Sequence, residues 1–163
     1  MIGKDTGMVD IHLRRARPDD ADTIADIHSA ARRRAMPYLP ELHSDEETRD
    51  WIARVVLPVQ QVWVAEREGR VIGIAALDRS TLEQLYVLPE EQGRGAGSAL
   101  LKQAQTMSPD ELTLWTFQRN TAARAFYERR GFTAVEFTDG AGNEEQEPDV
   151  RYRWSAMAGD RTR

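Results

Sequence analysis

The chain has 163 residues, 40% of them hydrophobic and 30% charged, a length and composition that suit one hydrophobic core under a polar surface. With no cysteine it has no disulfide, thiolate zinc site or cysteine nucleophile, and His12, His28 and His43 are scattered without ligand spacing, so no metal is expected. A formal net charge of −5 argues against a nucleic-acid partner; with no membrane-length or secretory apolar run, no membrane partner and a cytoplasmic location are expected.

Residues 1–8 read as a loose leader, followed by a single domain over 9–155 and a frayed tail over 156–163. Val9, Ile11 and Leu13 alternate with Asp10, His12 and Arg14, the pattern of a half-buried strand. Pro18-Asp19-Asp20 opens a helix, with acids in its first turn and Ile24, Ile27 and Ala31 on one face. The helix fails at Met36-Pro37, and Pro37 and Pro40 make the stretch from Met36 to His43 a loop with a shape of its own. The basic clusters Arg14, Arg15, Arg17 and Arg32, Arg33, Arg34 fit solvated ends of the strand and helix. Ser44-Asp45-Glu46-Glu47 is a capping box, and its helix should reach about Val56, carrying Trp51, Ile52 and Val55. Gln61 to Ala65 forms a strand, Glu68-Gly69 turns the chain, and Val71 to Leu77 is the hairpin partner.

The segment from Leu82 to Ala104 changes period at Pro89. Before it, Leu85 and Val87 alternate with Gln84 and Tyr86 as a mostly buried strand; after it, Leu100, Leu101, Ala104 and Met107 form the stripe of an amphipathic helix. Between them lies Gln92-Gly93-Arg94-Gly95-Ala96-Gly97. Glycine there permits positive φ and close approach of a ligand to the main chain. Such a loop feeding a helix N-terminus offers free N–H donors and the positive end of the helix dipole to a phosphate. Neither a P-loop, which needs Gly-Lys-Ser/Thr, nor the G-x-G-x-x-G dinucleotide fingerprint fits this spacing.

Downstream, Leu112 to Phe117 is a strand, Asn120 caps a helix through Arg130, and Gly131 stops it. Two last strands, near Phe132 to Phe137 and Val150 to Trp154, flank the loop TDGAGNEEQEP. The order β-α-α-β-β-β-α-β-α-β-β gives an α/β or α+β domain with a mixed sheet.

The glycine loop resembles the acetyl-CoA loop of GNAT-family N-acetyltransferases, Gln/Arg-x-x-Gly-x-Gly/Ala after a strand ending in Val-x-Pro, here Val87-Leu88-Pro89 followed by Gln92, Gly95 and Gly97. The stretch from Asn120 through Phe126-Tyr127 to Gly131-Phe132 is similar to that family's second block. The resemblance spans about residues 10 to 155. It implies a mostly antiparallel sheet of about seven strands flanked by four helices, and an acyltransferase moving acetyl from acetyl-CoA to a primary amine of a small molecule, amino acid or protein N-terminus. It also implies acetyl-CoA contacts from Leu85, Tyr86, Val87, Gln92, Gly93, Arg94, Gly95, Ala96, Gly97, Ser98, Asn120 and Phe126. Such proteins commonly dimerise, so a homodimer is compatible with it.

Acetyl transfer needs the donor held, its carbonyl polarised, the amine deprotonated and the leaving thiolate protonated. By resemblance Tyr127 is the acid, a phenol that keeps its proton at cellular pH; core packing is the competing reading. Glu83, an acid in an otherwise apolar strand, is the base by resemblance, or else a solvated strand-start residue. Glu41 and His43, or Glu144, Glu145 and Asp149, are alternative bases or clamps for a cationic substrate. The acceptor pocket implied by the family draws on Tyr38, Leu39, Glu41, His43, Glu144 and Asp149. The alternative function is a noncatalytic acetyl-CoA-sensing or partner-binding module of the same fold.

Overall fold

The computed structural model describes residues 10–157. The expected leader and most of the expected tail lie outside them, as does Val9. Among the described residues seven strands form one sheet: β1 (Ile11–Arg15), β2 (Gln61–Arg67), β3 (Arg70–Asp78), β4 (Thr81–Val87), β5 (Glu111–Phe117), β6 (Thr133–Phe137) and β7 (Asp149–Ser155), in the order β1-β2-β3-β4-β5-β7-β6. Every pairing is antiparallel except β4 with β5. The helices are α1 (Ala21–Ala35), α2 (Asp45–Trp51), α3 (Ala96–Met107) and α4 (Thr121–Glu128). No helix among the described residues is long and apolar enough to cross a membrane.

Alternation along the strands buries both faces of the sheet. Leu100, Leu101 and Ala104 of α3 and Tyr127 of α4 pack with Ile72, Ala75, Leu82, Leu112, Leu114 and Tyr152 on one side. On the other, Ile24 and Ile27 of α1 pack with Ile52, Val56, Val62, Val64 and Ile74. Helix ends follow local chemistry. Ser44 Oγ accepts from the Glu47 N–H at 3.1 Å while the Glu47 carboxylate accepts from the Ser44 N–H at 2.7 Å. Asn120 Oδ1 accepts from the Ala123 N–H at 3.2 Å. Gly131, at φ 89°, ends α4, and the Phe132 N–H reaches back to the Tyr127 carbonyl at 3.1 Å.

Two elements depart from the periodicity. After α2 the chain continues through a π-helical segment, Ile52–Val56, in which the Leu57 N–H reaches Ile52 O. Pro58 follows and has no N–H for the Arg54 carbonyl, so the helix widens here. The wide turn sets Val56 beside Ile52 in the core and leaves Trp51 and Val55 exposed, at 37% and 46%.

The second departure is in β4. Ala76 pairs with Gln84 but Leu77 pairs with Leu82, so Glu83 is the extra residue of a β-bulge. Leu82 and Leu85, three apart, therefore join the same core cluster, and Tyr86 turns to the α1 side. Between β4 and β5 the register holds only at Thr81 and Thr113, where the Thr113 N–H donates to Ser80 O at 2.9 Å. Beyond that point the two strands part.

His28 of α1 lies edge-on to Tyr86, with ring centroids 4.9 Å apart, and its Nδ1 is buried without a hydrogen-bond partner. Burial, reinforced by the Arg32 charge, pushes the imidazole down to about 4. Unfolding lets it take up a proton that the folded chain refuses. Its contribution to stability is therefore full above pH ~6.5 and lost as pH falls to about 4, at roughly 1.4 kcal/mol per pH unit. H28F is expected to flatten that part of the stability curve, measured as urea midpoints against pH.

Candidate active site

The gap beside β4 is lined by main chain. The Leu88 N–H donates to Ile72 O on β3 at 2.9 Å, and peptide groups alternate along a strand, so those of Leu85 and Val87 face away from β3, toward the opening. One is already used: Val87 O accepts from the Gln92 side-chain amide at 3.2 Å.

The glycine loop continues from this strand. Gly93 and Gly95 have φ of 77° and 99°, the left-handed region, and Gly95 is the N-cap of α3. The N–H groups from Gly93 to Ser98 donate to no acceptor among the described residues. Their direction is set from beneath. Arg67, at the end of β2 and 5% exposed, bonds Glu91 at 3.0 Å with Nε and the Arg94 carbonyl at 3.1 Å with Nη2. In a trans peptide the C=O and the following N–H point opposite ways, so drawing the Arg94 carbonyl inward turns the Gly95 N–H outward. The Arg94 side chain folds back to Glu91 at 3.3 Å and Ala96 is buried in the core, so both contribute to the loop through their main chains.

Two cavities meet here. A groove of about 560 Å³ runs over the loop and α3, lined by Val87, Gln92, Gly93, Gly95, Gly97 and Ser98 and on its far wall by Phe126, Arg129 and Arg130. Arg130 lies over the Phe126 ring at 3.8 Å and donates to Ser98 Oγ at 2.8 Å. A second cavity, about 590 Å³, is lined by Glu83, Trp115, Phe117, Thr138, Asn143 and Asp149. Met36, Leu85, Tyr86, Asn120, Ala123 and Tyr127 line both.

Tyr127 is 8% exposed, and burial, with a smaller effect from Tyr86, pushes its phenol far above the usual range. Its hydroxyl makes no hydrogen bond among the described residues, although the ring packs edge-on against Phe126 and Phe132. Glu83, projected by the bulge, lines the second cavity; partial burial raises its carboxyl, and the Asp78 charge adds to the effect. Packing and exposure of chemistry thus coincide at Tyr127.

Of the expected acceptor residues, Asp149 joins this cavity. Its carboxylate accepts from the Thr138 hydroxyl and, at 3.2 Å, from the Asn143 side-chain amide. Beyond Met36, the proline loop is elsewhere. Leu39, Glu41 and His43 line a separate hollow of about 270 Å³ beside His28. Glu41 pairs with Arg33 at 2.9 Å, and His43 with Glu144 at 2.6 Å. Tyr38 lies under the Arg119 guanidinium at 3.8 Å. Together with Arg32–Glu145, at 2.6 Å, these contacts fasten the proline loop and α1 to the 140s loop. Trp115, Phe117, Thr138, Asn143, Arg129 and Arg130 were not among the expected site residues. An aromatic pair at alternate positions of the strand after the glycine helix was the available signal for the first two.

The acetyltransferase (GNAT) domain profile matches residues 58–134. A probable N-acetyltransferase of Mycobacterium tuberculosis is 31% identical over 141 residues, covering 75% of this chain and 79% of the relative. The chain belongs to the GNAT family of N-acetyltransferases. The peptidyl-lysine N-acetyltransferase YjaB of Escherichia coli is 28% identical over 123 residues, 75% of this chain and 82% of YjaB. The apo YjaB structure superposes with a TM-score of 0.74 at 24% identity, covering 88% of this chain and 97% of that one. The PaiA N-acetyltransferase of Thermoplasma acidophilum, in complex with coenzyme A, gives 0.70 at 21% identity, covering 89% and 98%. GNAT enzymes use acetyl-CoA as acyl donor, and the groove fits such a molecule: free amides at a helix N-terminus, two arginines and no acidic lining residue suit its phosphates.

If Arg67 aims the loop, then Arg67→Lys, which keeps a charge beside Glu91 but cannot span to the Arg94 carbonyl as well, should weaken acetyl-CoA binding about tenfold. Calorimetric titration measures the loss; thermal unfolding checks that the fold persists.

Proposed function

We propose that the chain acetylates a primary amine by direct attack in the opening between β4 and β5, with Tyr127 as general acid and Glu83 as general base. The observation that carries this reading is the meeting of the two cavities at Tyr127, which lines both and whose hydroxyl has no hydrogen-bond partner among the described residues. The loop amides from Gly93 to Ser98 hold the donor's phosphates, and peptide groups of Leu85 and Val87 take its amide-bearing arm as an added strand would. Acetyl-CoA supplies the activated acyl group.

Glu83 accepts the proton of the incoming ammonium, directly or through water, and so frees the nitrogen lone pair. A main-chain N–H of β4 in the gap donates to the acyl oxygen as negative charge builds there. The new C–N bond forms as the C–S bond breaks, the nitrogen gives up its second proton to water, and Tyr127 protonates the departing sulfur before regaining a proton from solvent. Burial keeps the Tyr127 proton in place until a thiolate appears beside it. Raised by burial and by the Asp78 charge, Glu83 is a stronger base than a solvated carboxylate. Relatives that are peptidyl-lysine N-acetyltransferases support an alkylamine as acceptor.

Y127F should lower turnover on the order of 10²-fold while acetyl-CoA affinity stays near wild type. In the same assay, free-thiol release from acetyl-CoA with an amine panel, wild-type kcat/KM should fall as pH drops through a value above the ordinary carboxylate range. E83Q should remove that limb. Full turnover in both variants would leave the proposed chemistry without its acid and its base.

A further inference from the structure

The cavities that meet at Tyr127 carry opposite charge. The donor groove's ionisable lining, apart from Tyr86 and Tyr127, is Arg129 and Arg130, with no acid. The second cavity is lined by Glu83 and Asp149 and, among the described residues, by no lysine, arginine or histidine. A carboxylate or phosphate on the acceptor would meet two acids there with no cation to receive it. Of the arginines around it, Arg119 pairs with Glu147 at 2.8 Å, Arg124 with the Tyr152 hydroxyl at 2.9 Å and Arg32 with Glu145 at 2.6 Å, while Arg151, opposite Trp115 on β7, does not line the cavity.

The acids sit at opposite ends of the cavity. Thr81 pairs with Thr113 and Phe117 with Asp149, so Asp149 is two strands across from β4 and further along β5 than Glu83. Standard strand spacings make that roughly 7 Å along the strands, and across them more than the ~10 Å of two paired neighbours, since β4 and β5 have parted at this level. The side chains reach inward from there. Asp149 has no base to serve: the reacting nitrogen belongs near Tyr127 and Glu83, whereas Asp149 is fixed by Thr138 and Asn143. Between the two acids the walls are Leu82, Leu114, Trp115 and Phe117, apolar surface for a hydrocarbon linker.

We propose that the acceptor is an alkylamine with a second positive charge and no neighbouring carboxylate, its reacting nitrogen at Glu83 and Tyr127 and its second cation on Asp149. This rests on the acetyltransferase reading above and names the substrate class of that site. A small diamine and a lysine flanked by another basic side chain share this chemistry.

The test is thiol release from acetyl-CoA with α,ω-diamines, monoamines of the same length and ω-amino acids of the same length. Lysine peptides with and without an adjacent second lysine separate a peptide source from a small-molecule one. The diamine, or the doubly basic peptide, should exceed its singly charged counterpart in kcat/KM by roughly tenfold or more, the worth of a hydrogen bond to a charged group, and the ω-amino acid should be poorest. In D149N the ratio of dication to monocation should fall toward one; should that variant unfold, the wild-type preference must still shrink as salt is raised. Equal rates for diamine and monoamine, or a good ω-amino acid, overturn the proposal while leaving acetyl transfer intact. Turnover of no amine by protein that binds acetyl-CoA overturns the acetyltransferase reading itself.

Discussion

The separation of β4 from β5 beyond Thr81 and Thr113 is the constraint on which the site depends. Two parallel neighbours in full register would satisfy each other's peptide groups and leave no room for an outside strand-like ligand. Here the bulge at Glu83 bends β4 away and leaves the main chain of Leu85 and Val87 facing the gap. The same extra residue sends the Glu83 side chain into the cavity and lets Leu82 and Leu85 share one core face. Sheet irregularity, core packing and candidate base are one feature.

The glycine loop is held just as firmly, from inside. A buried Arg67–Glu91 pair is costly to desolvate and is a poor source of stability for its own sake. Its second bond, to the Arg94 carbonyl, orients a peptide at the mouth of α3. A glycine loop without such an anchor would sample many conformations, and a phosphate would have to order it on binding. The anchor places that ordering in the fold.

Local chemistry was readable in advance. The Ser44 and Asn120 caps, the Gly131 stop, the Glu68-Gly69 turn and the loop from Gln92 to Gly97 each depend on residues within a few positions of one another. What escaped was set by pairing over long distances. Nothing near Thr138 or Asn143 announces that β7 will slot between β5 and β6 and bring both into a cavity with Glu83, and Asp149 was expected there only through the family resemblance. Glu41 and His43 look like free acceptor-site groups until Arg33 and Glu144 are seen to engage them. The bulge did leave a trace: Leu82 and Leu85 are spaced by three where a regular strand would space them by two or four. The π turn at Ile52–Val56, helped by Pro58, left no signal in a regular helical period, and it is what separates exposed Val55 from buried Val56.

The central claim is that main-chain N–H groups at the head of α3 grip the phosphates of the acyl donor. Amide chemical shifts of the ¹⁵N-labelled chain, titrated with coenzyme A, test it most directly. The account predicts that Gly93, Gly95, Gly97 and Ser98 move most, with little change along β1 or β6. Saturation with those resonances unmoved, or with the shifts gathered around His28 and Glu41 instead, would contradict it.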